Sequence, residues 1–473
     1  MKAARVLVED ECVFPSGSLI RLVRGLSEFL EPYMKAFCRR EQRENAAAYL
    51  NGRLRNLPRR TIEPVANAAG RNPEALQKFI GAGKWSDTTL RDELHRDVVK
   101  TIGSRDGVMV LDGSAFPKKG TESVGVQRQW CGRLGKEDNC QVGQFIAYAA
   151  GGSYALLDGE LYLPQSWLTE ERRSKGRVPE EKEFQTGWAI ADELQKRNAK
   201  RLPHAWVVGD EDYGVPNELR DRFHARRERY ALEVKPNTRF WLADAQGNTR
   251  GELLNVKEFR ASLPKKVWRS FHVRDGEKEP RIHEATRVWV VTPRDGKKGT
   301  RAESLVLVRS SEKDWQYLSN APPEIPLGEV VRATASRHAV EELLELAKGD
   351  VGADEYEVRS YVGWHHHLTF SLLALWFLLK QKTELEKKLP RSPFPSFDGP
   401  SLFRWTVKPL STLLKKSRDS SGETKRRGGR IGRPVVIDHP LGGRRRSLGR
   451  GDVSVVTALE LAAEFADCAE LPQ

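Results

Sequence analysis

A chain of 473 residues with 39% hydrophobic and 30% charged residues is too long for one small core and too polar for a membrane protein. Its 79 Lys+Arg against 65 Asp+Glu leave a formal net charge of +14. That excess favours a polyanionic partner, nucleic acid first, with a basic protein that has no such partner as the alternative. The five cysteines are scattered, with no Cys-x-x-Cys pair, which argues against a disulfide framework or a structural zinc site and fits a reducing, cytosolic compartment.

The opening "MKAARVLVEDECVF" has no long apolar core and no small-residue cleavage site, so secretion is not expected. Apolar residues recur at helical spacing in "LIRLVRGLSEFLEPYMKAF" and "LRDELHRDVVKTI", predicting a helical region up to residue 103. Between them, Thr61 suits one N-cap, Gly70 a break, and Asn72-Pro73 the start of a second helix. Ala66, Gly70 and Leu76 fit a helix-turn-helix, and a plain helical hairpin fits as well.

From 107 the period changes. "GVMVLDG", "SVGVQRQW", "QVGQFIAYAA" and "GGSYALLDGELYL" read as strands. A helix in "EFQTGWAIADELQKRN" leads to the strand "HAWVVGD", then a helix over 215–227 and the strand "RYALEVKP". This order predicts one mixed α/β sheet. Residues 236–328 break the alternation with strands such as "TRVWVVTP" and "ESLVLVRS", read as a β-rich insertion. A helix over 335–349 and a buried helix over 366–382 follow. The apolar run 368–379 is too short to span a bilayer. From Lys415 to Arg450, twelve Lys/Arg face three acids, as in a flexible basic arm.

Two apolar strands end in an acid, at Asp112 and Asp210. Strand ends form the rim where α/β folds build sites. Neighbouring carboxylates there repel unless a divalent cation lies between them, and oxygen donors suit Mg2+ or Mn2+. Unrelated loop acids are the alternative. Arg337, Glu341 and Lys348 are spaced to share one helical face, as an acid between two phosphate clamps or as a salt-bridged surface. Lys118 and Lys119 offer further phosphate contacts or a solvated turn. Cys131 and Cys140 read as packing thiols. Three consecutive histidines, His365 to His367, point around a helix rather than at one centre.

At this point the residues resemble a family. "RHAVEELLELAK" fits the Arg-x3-Glu-x6-Lys part of the signature of bacterial DDE insertion-sequence transposases, with Thr334 where that signature has tyrosine. "VLDGSAFPKKG" and "VVGDEDYG" resemble its two aspartate stretches, and "LGKEDNCQVG", "YLSNAP" and "YEVRSYVGWHHHLTF" are similar to other pieces of it. The resemblance spans about 25–382. It implies a ribonuclease H-like sheet; together with the patterns above, the expected fold is that mixed sheet with a β-rich insertion, preceded by an all-helical domain and followed by a basic flexible region that the resemblance does not cover. Its expected parts are a helical DNA-binding domain (1–103), a catalytic core (104–235 and 329–382) around the insertion (236–328), and the C-terminal region (383–473).

The resemblance further implies that Asp112, Asp210 and Glu341 share two metal ions, with Glu211 and Asp212 solvent-facing or in supporting positions and Asp212 as the ligand the alternative. Arg337 and Lys348 would hold DNA. The expected activity is cutting at an element's ends and joining 3′-hydroxyls to target DNA, by a cytoplasmic bacterial enzyme dimeric on paired ends. A nuclease on the same fold, and a non-catalytic DNA-binding relative, are the alternatives. "GRIGRP" (429–434) faintly resembles a minor-groove arginine hook.

Overall fold

The computed structural model describes residues 17–388, apart from 56, 275–280, 295–296, 300 and 312, together with two short strands before them. The expected basic arm at 415–450 and the "GRIGRP" stretch lie outside the described residues. Those first strands, β1 (Arg5–Leu7) and β2 (Val13–Pro15), pair antiparallel. Helices α1 (Gly17–Met34), α2 (Arg40–Leu54), α3 (Ile62–Ala68), α4 (Pro73–Ala82) and α5 (Asp87–Ile102) follow.

The α3–α4 turn forms for local reasons. Gly70 adopts φ +60°, which favours glycine. Asn72 Oδ1 then accepts from the amides of Glu74 (2.8 Å) and Ala75 (3.4 Å), and Pro73 occupies the first helical position. Ala66 and Leu76 are fully buried.

Strands β3 (Val108–Pro117), β4 (Gln127–Cys131), β5 (Lys136–Ala150) and β6 (Ser153–Leu161) form an antiparallel group in which β5 pairs with the other three. Short helix α6 (Glu170–Gly176) and helix α7 (Gly187–Ala199) lead to β7 (Trp206–Gly209). The one-turn α8 (Glu211–Gly214) and helix α9 (Asn217–Ala225) lead to β8 (Tyr230–Glu233). β3, β7 and β8 are parallel neighbours. Every residue of β7 and β8 is buried, as expected of parallel strands covered on both faces.

The β-rich stretch continues this sheet. Its elements are β9 (Arg239–Ala243), β10 (Thr249–Asn255), α10 (Val256–Ser262), β11 (Arg269–Arg274), β12 (Arg281–Val291), the small pair β13 (Pro293–Arg294) and β14 (Lys297–Lys298), β15 (Glu303–Arg309) and β16 (Asp314–Ser319). β16 pairs with β8, and β15, β12, β9 and β10 follow outward, giving a twelve-stranded mixed sheet. Val256, Val290, Leu305 and Leu318 fill its own apolar cluster.

Helices α11 (Leu327–Ala335), α12 (His338–Gly349) and α13 (Tyr361–Lys388) close the described chain. The expected helix over 335–349 breaks at Ser336-Arg337, and the one expected over 366–382 is longer at both ends. Neighbouring residues of β5 show which helices cover which face, because successive strand side chains alternate. Phe145 lines a small cavity with Leu344 of α12 and Leu368 of α13. Gln144 Oε1 accepts from the buried Tyr213 hydroxyl at 2.6 Å and lies beside Gly187 of α7. Asp112 is the cross-strand partner of Phe145, so it shares the α12 face.

The three histidines of α13 are all buried and reach three different places. His365 Nε2 meets Glu160 of β6 at 3.2 Å. His366 stacks on Trp85 with ring centres 3.6 Å apart. His367 Nδ1 meets the Tyr49 hydroxyl of α2 at 2.8 Å. Cys131 and Cys140 are buried free thiols.

Candidate active site

The register of the parallel strands builds the site. Leu111 of β3 lies opposite Gly209 of β7, and Gly209 lies opposite Leu232 of β8. The next residues are Asp112, Asp210 and Glu233. Three acids therefore stand in a row across adjacent strands, about 4.8 Å apart per strand.

Local contacts fix each of them. Asp112 Oδ1 accepts from the Gly113 amide at 2.9 Å. Asp210 caps the one-turn helix behind it, its Oδ1 accepting from the Asp212 amide at 3.0 Å. Gly214 closes that turn against β8, where a Cβ would lie 1.8 Å from the Glu233 carbonyl oxygen. Only glycine allows that approach.

The acids are held in costly surroundings. Burial, and then Asp210, pushes the Asp112 carboxyl up to about 7. Burial, and then Asp212, pushes Asp210 up to about 6. Burial also raises Glu233. Asp112 feels Glu341 as a further negative charge, so α12 brings that residue to the same edge. The Glu341 side chain is 53% exposed, and its Oε1 lies 2.9 Å from Arg337 Nη1.

Arg337 stands at the N-cap of α12. Its Nε lies 3.4 Å from Glu233 Oε2, so its guanidinium reaches acids on both sides. Its charge pulls the Asp112 and Asp210 carboxyls back down. Lys348 Nζ donates to Ser114 Oγ at 2.7 Å, two residues beyond Asp112, and lies 5.1 Å from the Phe116 ring centre. Lys119 is exposed. Lys118 turns inward: its Nζ donates to the Tyr356 carbonyl at 3.1 Å and lies 3.3 Å from that ring's centre. Burial pushes it down to about 8. Glu211 is half-buried and Asp212 exposed. Thr334 is buried, its hydroxyl donating to the Val331 carbonyl at 3.0 Å.

The donor set suits a hard divalent ion, because two adjacent half-buried carboxylates repel each other and a cation between them relieves both. Glu341 would be the third donor, and it pairs with Arg337 instead. Among the described residues no three His, Cys, Asp or Glu side chains stand together as a group that could hold a metal. Sequence reasoning missed Glu233, although "RYALE" carries the same signal as the other two strands: an apolar run ending in an acid. Among the described residues no helix is long and apolar enough to cross a membrane.

A family model described as DDE superfamily endonuclease matches residues 32–289, more than half of the chain. The match contains Asp112, Asp210 and Glu233 and stops before Arg337. A curated protein from Microchaete diplosiphon, named probable transposase for insertion sequence element IS701, is 29% identical over 125 residues. That stretch is 26% of this chain and 33% of the relative, so the match spans about a third of the relative's length.

Proposed function

Because the chain belongs to the DDE superfamily of endonucleases, we propose that it is an insertion-sequence transposase. On this reading it cuts DNA at the element's ends and joins the freed 3′-hydroxyls to target DNA in a cut-and-paste cycle. The carrying observation is the register that sets Asp112 and Asp210 at the same level on parallel strands, on the sheet face covered by the helix of Glu341. A ribonuclease H-like core is the architecture that this mixed sheet and the family together favour.

Asp112, Asp210 and Glu341 are the residues that would hold Mg2+ or Mn2+. Such ions, when bound, activate an attacking water or 3′-hydroxyl and stabilise the leaving oxygen. The protein's own side chains then position the DNA. Arg337 offers a planar fork that matches a phosphate with two parallel bonds. Lys348, fixed by Ser114, sets a second positive charge along the same edge. Lys119 adds a backbone contact without sequence preference. Lys118 supports the fold at Tyr356 rather than reaching DNA. The α3–α4 unit is the candidate reader of the terminal repeats, and the substrate is double-stranded DNA held by a homodimer on paired ends.

The test uses the full chain with duplexes ending in the element's own terminal repeats. Magnesium should give cleaved ends and products joined to a second duplex, and excess EDTA should abolish both. Cleavage without joined products would indicate a nuclease. Cleavage that persists in EDTA would overturn the reading.

A further inference from the structure

Glu233 is an acid that the proposed chemistry does not use. It is buried, and it ends the strand next to the one ending in Asp210. A buried carboxylate left without a partner costs several kcal/mol, so its partner matters. Its ion-pair partner is Arg337, which also holds Glu341, and Lys313 is a further positive charge acting on it. The guanidinium is thus anchored on the floor of the site by one acid and tied to a candidate metal ligand by the other. Its charge also acts on Asp112 and Asp210. One cation therefore serves four carboxylates, at the place where a divalent ion would be needed.

The two anchors differ. Glu233 is only 10% exposed at its side chain, whereas Glu341 is 53% exposed. The Arg337–Glu341 contact is the one that solvent, or a phosphate, can reach. A phosphate diester offers oxygens that compete with Glu341 for the same N–H groups.

The geometry points to Glu233 as a positioning residue that holds Arg337 in place as an internal counter-ion across the acid row. In this scheme Arg337 keeps Glu341 engaged until a DNA phosphate takes over its exposed side. Glu341 is then released to join Asp112 and Asp210. DNA and metal binding become coupled, and the coupling acts equally in both directions. This inference rests on the transposase reading only in that the ligand is DNA and the acids hold metal.

The probe is Mn2+ itself, followed by the electron paramagnetic resonance signal of the free ion. It is titrated into the full chain with and without a duplex of about three helical turns. The parent protein should bind Mn2+ about tenfold more tightly with DNA present, within the usual range of allosteric coupling. Arg337→Gln should bind Mn2+ without DNA nearly as well as the parent does with it, and DNA should add little. Arg337→Lys keeps a charge but lacks the separate Nε and Nη donors that reach Glu233 and Glu341, so it should fall between them; it is the variant to read if Arg337→Gln does not fold. Glu233→Gln should change the DNA-to-metal coupling when Arg337 is present and leave it unchanged when Arg337 is already Gln. This cycle separates positioning from a general loss of structure.

If the parent binds Mn2+ equally with and without DNA, or if Glu233→Gln acts the same in both backgrounds, the positioning role is wrong and the transposase reading stands. If the parent binds neither DNA nor Mn2+, the transposase reading itself fails.

Discussion

Asp158 and Glu160 on β6 can be compared with Asp112 and Asp210 on β3 and beyond β7, since both are pairs of acids drawn into the protein. Around the β6 pair, Arg91 Nη1 meets Asp158 at 3.0 Å, and Arg197 reaches both acids at 2.7 and 3.1 Å. Lys182 and His365 hold Glu160 at 3.1 and 3.2 Å. Burial pushes Asp158 up, but Arg91 and Arg197 more than offset it, and the carboxyl ends well below the usual range. Glu160 behaves alike, with His365 as its strongest offset. At the sheet edge Arg337 lowers both carboxyls and Lys348 lies near Asp112, yet Asp112 and Asp210 stay raised. Desolvation raises the carboxyls of both pairs, the β6 pair being buried and Asp112 and Asp210 half-buried; the supply of counter-ions differs. The pair short of positive charge is the one proposed above to take a cation from outside. Perturbed carboxyls in such a setting mark functional sites more often than structural ones.

The contrast makes opposite demands on mutants. Asp112→Ala, Asp210→Ala and Glu341→Ala should each lower DNA cleavage by roughly a thousandfold or more while leaving DNA retention in a gel-shift intact, as for groups that act as one unit. Asp158→Ala should instead destabilise the fold by about 3 kcal/mol, because it removes the buried carboxylate shared by Arg91 and Arg197, leaving Arg91 with Asp87 and Arg197 with Glu160; denaturant unfolding measures this. A stable Asp158→Ala, or an unfolded Asp112→Ala, would erase the distinction between the pairs.

A smaller effect has a defined pH signature. Asp112 titrates near 7 in the folded state and near its ordinary value of about 3.9 when unfolded. At pH about 3 it is protonated in both states, so Asp112→Asn should match the parent. As pH rises, the unfolded chain ionises first, and the parent loses stability relative to the variant. Above about pH 7 the folded group is ionised too and the penalty is complete. Asp112→Asn should then be more stable by roughly 1–3 kcal/mol. Equal urea midpoints at pH about 3 and a higher midpoint for the variant at pH about 8 are the expected result. A variant less stable at both would mean that the carboxylate is satisfied after all.

The smallest effect concerns the two lysines after the first aspartate. Lys119→Ala should reduce the salt slope of duplex binding by about 0.9, the value for one phosphate contact. Lys118→Ala should leave that slope unchanged and cost about 1 kcal/mol of stability through its lost cation–π contact. The reverse pattern would exchange their roles.

The site was legible where its signal is local. Asp112 and Asp210 each follow a short apolar run, although β3 does not end at Asp112 as expected but continues to Pro117. Glu233 carries that signal too, at the end of "RYALE". What could not be read is what depends on distant pairing. Arg337 meets Glu233 104 residues away, and Lys118 meets Tyr356 238 residues away. No periodicity reports either contact. The continuation of the sheet through the β-rich stretch likewise depends on β8 finding β16 across an intervening meander. The α3–α4 turn was legible nearly to the residue, because glycine, asparagine and proline act on their own backbone.

The histidines of α13 bear on how freely this protein's parts could be exchanged. A reader module that evolution or an engineer could graft onto another nuclease would need a self-contained core. Here Trp85 rests on His366, Tyr49 on His367, and Phe29 packs 5.2 Å from Phe377, so the helices near the start borrow their interior from a helix some 300 residues later. A fragment ending at residue 103 would present that apolar surface bare, inviting self-association. On the proposed reading of α3–α4 as the DNA reader, new end specificity should therefore arise by substitution on the outer faces of α3 and α4, with the whole helical layer inherited intact.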